Sequence, residues 1–255
     1  MLYPNDFDNI PQPFDELYQE LETFILQDVS RRIKKAGELT STANHQLEMA
    51  KLLSMKNVES KIAEILKLSK DKVDKLFPQI ANMSMEQENE IYKKAGLDTI
   101  QLKDSKTLQK YLSTAIETTK GDLENITRTL GFAEVQNGKV VYSDLTKFYR
   151  KELSLANAKI STGAIDYNTA IRQAVKKISE SGVRQINYES GRSNEVYAAA
   201  RRAVLTSVHQ MSQQMSIHNM DKILGKDNKE RFVEVSWHAA ARKSHWWGGM
   251  IFKWN

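Results

Sequence analysis

Phe14, Leu17, Tyr18, Leu21, Phe24, Ile25, Val29 and Ile33 recur at steps of three and four residues. Only a helix puts that spacing on one side; in a strand the same residues would scatter over both faces. The chain therefore begins with an amphipathic helix that must bury a long apolar stripe. Pro4, Pro11 and Pro13 precede it. Proline lacks the amide hydrogen a helix interior needs, so an extended lead-in is expected, with the helix starting near Phe14. Gly37 stops it.

The same period returns along the chain. Thr40 or Ser41 can cap a second helix over His45 to Met55, with Leu47, Met49, Leu52 and Leu53 apolar. Val58, Ile62, Ile65 and Leu66 predict a third over Asn57 to Leu66. Ser69 with Lys72 to Phe77 predicts a short fourth ending before Pro78. Helices follow at 84–95 and 105–130, the latter with Leu108, Tyr111, Leu112, Ala115, Ile116 and Leu123 in register. Asn137-Gly138 between the β-prone runs Val135-Gln136 and Lys139 to Tyr142 marks a hairpin. Helices resume over Ser143–Thr162 and Ile165–Gly182, with Asp166 as a cap, and over Ser193–Leu224, closed by Gly225. Phe232, Val233, Val235 and Trp237 alternate with Glu234 and Ser236, a strand signature over Arg231–Trp237, with Met250–Trp254 as its partner. The fold class expected is mainly α: a multi-helix N-terminal module, then a helix-rich α+β C-terminal part with short β-hairpins.

A chain of 255 residues with 40% apolar and 27% charged residues can bury a sizeable core. It has no cysteine, which excludes disulfide scaffolds, thiolate metal sites and cysteine nucleophiles. No apolar run reaches membrane-spanning length, and the acidic start, Met1 to Asp8, lacks a signal-peptide core. The net charge of +5 is unevenly placed. Residues 1–100 hold 17 acids and 13 bases, residues 101–150 hold 6 and 8, and residues 151–255 hold 9 and 16. The C-terminal part is thus where an anionic partner is sought. Arg192, Arg201, Arg202 and His209 form a basic patch on the long helix, with Arg192, Arg202 and His209 sharing roughly one side. Phosphate contact is one reading. A solvated face, or pairing with Glu189 and Glu195, is the other. Met211-Ser212-Gln213-Gln214-Met215 reads as adaptable packing.

Phosphate loops, the dinucleotide fingerprint, the nucleophile elbow and His-Glu-x-x-His are all missing from the sequence. The one dense cluster runs from Ser236 to Gly249 and holds His238, Arg242, Lys243, His245 and three of the four tryptophans, Trp237, Trp246 and Trp247. Three readings compete. His238 and His245 could ligate a metal, although no Asp, Glu or Cys lies nearby to complete the set. They could do acid–base work on a phosphodiester held by Arg242, a hydrolase or nuclease-like effector. Or the segment is a tight loop between two strands. Its tryptophans would then pack, its polar groups bond backbone carbonyls, and Gly248-Gly249 supply the turn. The loop is the reading adopted, so no catalytic residue, metal or cofactor is expected.

Three groups of residues carry a resemblance. The first is Leu17 to Glu22, Ile25 to Ile33 and Gly37 to Thr40. The second is Asn125 to Thr129, Tyr167 to Ile171 and Ile186 to Arg192. The third is Glu234 to His245, followed by Trp247-Gly248. In this order they resemble the minor capsid proteins of phages of Gram-positive bacteria, a group related to Mu F-like head-morphogenesis proteins. The family pattern reads Gly-Ala-Arg-Pro-x-His with Trp-Gln-Gly after it; here Ala240 stands for the glycine, Lys243 for the proline, and Trp247-Gly248 follows without the glutamine. Relatives are expected to continue past Asn255.

The resemblance implies a structural virion component of the phage head, assembled in the host cytoplasm and present in several copies in a symmetric assembly. It implies portal protein and other capsid subunits as partners, and a part in head assembly and DNA packaging or delivery. On that reading residues 1–100, acidic and helical, dock on portal or capsid. Residues 101–192 form a middle region with the hairpin near 135–142, and residues 193–255 carry the long helix and Trp-rich segment. Arg192, Arg201, Arg202, Arg242 and Lys243 are the candidates for non-specific contact with packaged DNA. No membrane partner is expected.

Overall fold

A computed structural model describes residues 2, 6–38, 54–136, 139–187, 192–225, 232–234, 247 and 250–253. The helix expected over His45–Met55 lies almost wholly outside them. Helix α1 (Asp6–Asn9) interrupts the expected extended lead-in, and α2 (Gln12–Glu38) starts two residues before Phe14. Pro13 sits in its first turn, where the amide hydrogen it lacks would have had no partner in the helix. The stripe behaves as its spacing demands. Phe14, Leu17, Tyr18, Leu21, Ile25, Val29 and Ile33 are buried, and Phe24 packs against the same core. Asp28 and Arg32 are buried together; Arg32 Nε donates to Asp28 Oδ2 at 2.7 Å and a second guanidinium nitrogen donates to the Ser54 carbonyl. A charge can be buried here because it is paired and hydrogen-bonded.

The helices expected at 57–66, 72–77 and 84–95 are one continuous element, α3 (Lys56–Lys94), with Pro78 inside it. This corrects the break placed before Pro78. A mid-helix proline costs about 3 kcal/mol. The stripe Val58, Ile65, Val73, Phe77, Ile80, Ala81 and Met85 is buried on both sides of it, and each large apolar side chain contributes roughly 1.5–3 kcal/mol. Packing therefore outweighs the local defect. Ser69 is no cap: its buried hydroxyl donates to the Ile65 carbonyl at 2.8 Å.

A 3₁₀ turn (Leu102–Asp104) leads to α4 (Lys106–Arg128), whose first amides are met by Ser105, Oγ accepting from Leu108 N at 3.4 Å. Strands β1 (Leu130–Gln136) and β2 (Lys139–Asp144) form the expected hairpin, with Gln136 opposite Lys139. Asp144 caps α5 (Leu145–Ser161), accepting from Lys147 N at 2.8 Å, and Asp166 caps α6 (Tyr167–Ser181), accepting from Thr169 N at 3.0 Å.

Two strands escaped the sequence reading, β3 (Arg184–Asn187) and β4 (Arg192–Glu195). They extend the hairpin into an antiparallel sheet of order β2-β1-β3-β4. The long helix, α7 (Val196–Leu224), starts after β4 and not at Ser193. Gly225 follows at φ 82°, a left-handed value that glycine adopts without strain.

Helix α7 packs against α4, α2 and α3 and against β3 and β4. A helix covered on several sides cannot keep a strongly polar face over its length, and α7 accordingly buries Val196, Ala200, Val204, Val208, Met211 and Met215. The methionines of the 211–215 stretch are thus core, as expected. One apolar cluster runs from Phe14 through Phe77, Leu123, Phe132 and Phe148 to Met215. It draws on residues from 1–100, 101–192 and 193–255 alike. Strands β5 (Phe232–Glu234) and β6 (Ile251–Lys253) pair antiparallel as a separate two-stranded sheet, confirming the strand and partner expected there.

Candidate functional site

The basic patch on the long helix comes apart in three dimensions. Arg192 belongs to β4, so it does not share a helix side with Arg202 and His209. Arg201 turns to α2: its Nη1 donates to Asp15 Oδ2 at 2.8 Å, and Asp15 is largely covered. The partner is Asp15, where the sequence offered Glu189 or Glu195. His209 stacks on Phe7 of α1, with ring centroids 3.9 Å apart and planes 9° from parallel. Partial burial holds the imidazole below its ordinary pKa, because desolvation disfavours the charged ring.

Arg202 is exposed near the start of this helix, and its Nη2 donates to Asn194 Oδ1 of β4 at 3.2 Å. That contact borders an open groove of about 330 Å³ between α4, β3, β4 and α7. Gln185 and Asn194, directly opposite across the β3–β4 ladder, meet Asp122 and Asn125 of α4 and Arg202 of α7 there. The polar lining is mostly neutral carboxamide, with one acid and one base. Its residues come from the consecutive elements β3, β4 and α7 and from α4, well before them in the chain, and no local motif announces them.

The second candidate is the β5–β6 hairpin. Phe232 faces Lys253, Val233 faces Phe252 and Glu234 faces Ile251 across the ladder. Side chains alternate along a strand, so Phe232 and Ile251 share one face while Phe252 points from the other. Phe232, Ile251 and Phe252 are 58%, 68% and 42% exposed, and neighbouring Met250 and Trp247 are 41% and 37% exposed. None of the five belongs to the core cluster. The stretch between the two strands carries His238, Arg242, Lys243 and His245, all outside the described residues, as are Trp237 and Trp246 of the packing expected there; Trp247, the third tryptophan expected to pack, is exposed and lies outside the core cluster. Among the described residues, no group of three His, Asp or Glu side chains is placed to hold a metal ion.

The comparison that decides the family is with phage minor capsid protein 2, whose sequence pattern matches residues 2–253. The chain belongs to that family. The match runs from the segment before α1 to the last residue of β6, so the helical body and the apolar hairpin are both parts of one phage minor capsid unit. No curated protein and no solved structure matches it. A phage minor capsid protein is a structural part of the virion, and its contacts are with other capsid components. Among the described residues no helix is long and apolar enough to cross a membrane.

Proposed function

We propose that this phage minor capsid protein is a portal-associated head component that works in head assembly and in DNA packaging or delivery, without catalysing a reaction. The family match over residues 2–253 carries the reading. The inner faces of α2 and α3 are buried in the shared core, so docking by residues 1–100 falls to their outward faces, where Glu16, Glu59, Glu86 and Glu90 are exposed. Deleting residues 1–100 would unfold the protein and test nothing. Reversing these four charges to Lys leaves the core intact. The variant is expected to be depleted from purified heads; undiminished incorporation rejects docking through this face.

DNA contact is proposed for Arg192, Arg202, Arg242 and Lys243, acting on phosphates without reading bases. Arg201 contributes less, because its guanidinium is held by Asp15. Such contact predicts an affinity for random duplex that falls steeply with salt. A salt-insensitive binding constant rejects it.

A further inference from the structure

We propose that the helix pair α5 and α6 is a contact surface for duplex DNA, apart from Arg192 and Arg202; this rests on the DNA-contact reading above. Helix α5 holds Lys147, Arg150, Lys151 and Lys159 against the single acid Glu152, and α6 holds Arg172, Lys176 and Lys177 against Glu180. That is a surplus of five positive charges, as large as the net charge of the whole chain.

The fold turns this surplus outward. Glu152 is buried and its Oε1 accepts from Lys177 Nζ at 2.5 Å, so the acid is withdrawn from the surface together with one base. Glu180 reaches Lys176 only at 3.7 Å with both side chains in solvent, a pair of little worth. Asp144 and Asp166, just before the two helices, are engaged by the first-turn amides they cap. Lys147, Arg150, Lys151, Arg172 and Lys176 are all exposed.

Geometry gathers the cations. Both helices rest on α2. The Glu152–Lys177 bond and a second from Lys159 Nζ to Gln173 Oε1 at 3.2 Å tie α5 to α6 in antiparallel order. Lys151 and Lys176 each adjoin a member of the first tie in sequence, so they stand at one level of the pair. Lys147, Arg150 and Lys151 are three and four residues apart and share a side of α5, which Ser154 and Ala158 continue; Arg172 and Lys176 are four apart on α6.

The chemistry of this surface selects the partner. Ser154, Ala158 and Gln173 are exposed among the cations, and none is a large apolar residue. Leu155 is the one exposed large apolar side chain among the described residues of the two helices. A protein interface needs a desolvated centre of aromatic or aliphatic side chains. A helix lying on a bilayer needs an apolar face to sink into the acyl boundary. Phosphates need only cations within reach of the duplex backbone.

The test measures affinity for random duplex against salt with the full chain. One variant combines Lys147→Gln, Arg150→Gln, Arg172→Gln and Lys176→Gln. A control removes the same charge from α3 and α4 through Lys67→Gln, Lys75→Gln, Lys106→Gln and Lys110→Gln. All of these side chains are exposed, so both variants should melt like the parent. The α5–α6 variant should flatten the slope of log affinity against log salt by about 3 to 4, roughly one for each lost phosphate contact, and the control by less than about 1. On the unaltered chain, bound duplex should shield Lys147 and Lys176 from acetylation several-fold more than Lys67 and Lys110, a readout that stands even if a variant fails to fold. Equal flattening by the two variants overturns the proposal, as does shielding by polyglutamate but not by duplex. A steep parent slope that the α5–α6 variant leaves unchanged overturns it while the DNA reading stands. A parent affinity that ignores salt removes that reading, and the proposal with it.

Discussion

Arg201 of α7 and Asp15 of α2 are 186 residues apart and joined by a 2.8 Å charge-assisted hydrogen bond. The bond ties the first long helix to the last. Asp15 is mostly covered and its Oδ1 has no protein partner, whereas Arg201 is nearly half exposed. Such a half-solvated pair is worth about 0.5–1 kcal/mol of coupling. A double-mutant cycle with Arg201→Ala and Asp15→Ala, read by denaturant unfolding, should return a coupling of that size. Strict additivity would place the two side chains apart in solution.

The same bond divides the basic residues. Arg202→Ala should lower the slope of log affinity against log salt for random duplex by about 1, the signature of one lost phosphate contact. Arg201→Ala should change it much less. Equal effects from both would show that Asp15 does not hold the Arg201 guanidinium.

Helix α3 makes a test of its own. If it is continuous through Pro78, the amides of Gln79, Ile80 and Ala81 donate to carbonyls one turn back and exchange slowly with solvent. If the chain broke at Pro78, these amides would open a new helix with no intrahelical acceptor and exchange fast. Native-state hydrogen exchange should show protection on both sides of the proline.

His209 gives a pH dependence with a definite sign. Its folded-state pKa is held below the unfolded value of about 6.5 by partial desolvation of a ring that stacks on Phe7 and is still open to solvent on its other side. Between those two values the unfolded chain binds more protons, so stability from this group is present above about 6.5 and falls on acidification through that window. The loss of melting temperature between neutral and mildly acid pH should therefore be larger in the parent than in His209→Phe, which keeps a ring on Phe7 and removes the titration. Identical pH profiles would mean the imidazole is not desolvated by the stack.

The sequence made the amphipathic elements legible because burial on one face leaves a period. The stripe from Phe14 to Ile33, the Asn137-Gly138 hairpin and the cap Asp166 were all written locally. So were β5 and its partner β6, through alternation and aromatic residues. Where the reading failed, the deciding term was not local. Pro78 announces a stop, and only packing of Phe77, Ile80 and Ala81 against other helices overrules it. Strands β3 and β4, Arg-Gln-Ile-Asn and Arg-Ser-Asn-Glu, are short and mostly polar and are held by backbone pairing, so they carry no hydrophobic period. Of the candidate contact residues, helical spacing placed Arg202 and His209 on one side of α7 but could not foresee that Asn194, Phe7 and Asp15 would meet them and Arg201. The carboxamide groove had no signature at all, being assembled from α4, β3, β4 and α7.

On the reading proposed above, this chain is a structural part of the virion that acts through its surfaces. Electron cryomicroscopy of the intact phage, with protein composition measured on the same particles, tests it most directly. Density for the α2–α3–α7 body is expected within the head. Purified infectious particles that lack the chain would contradict it.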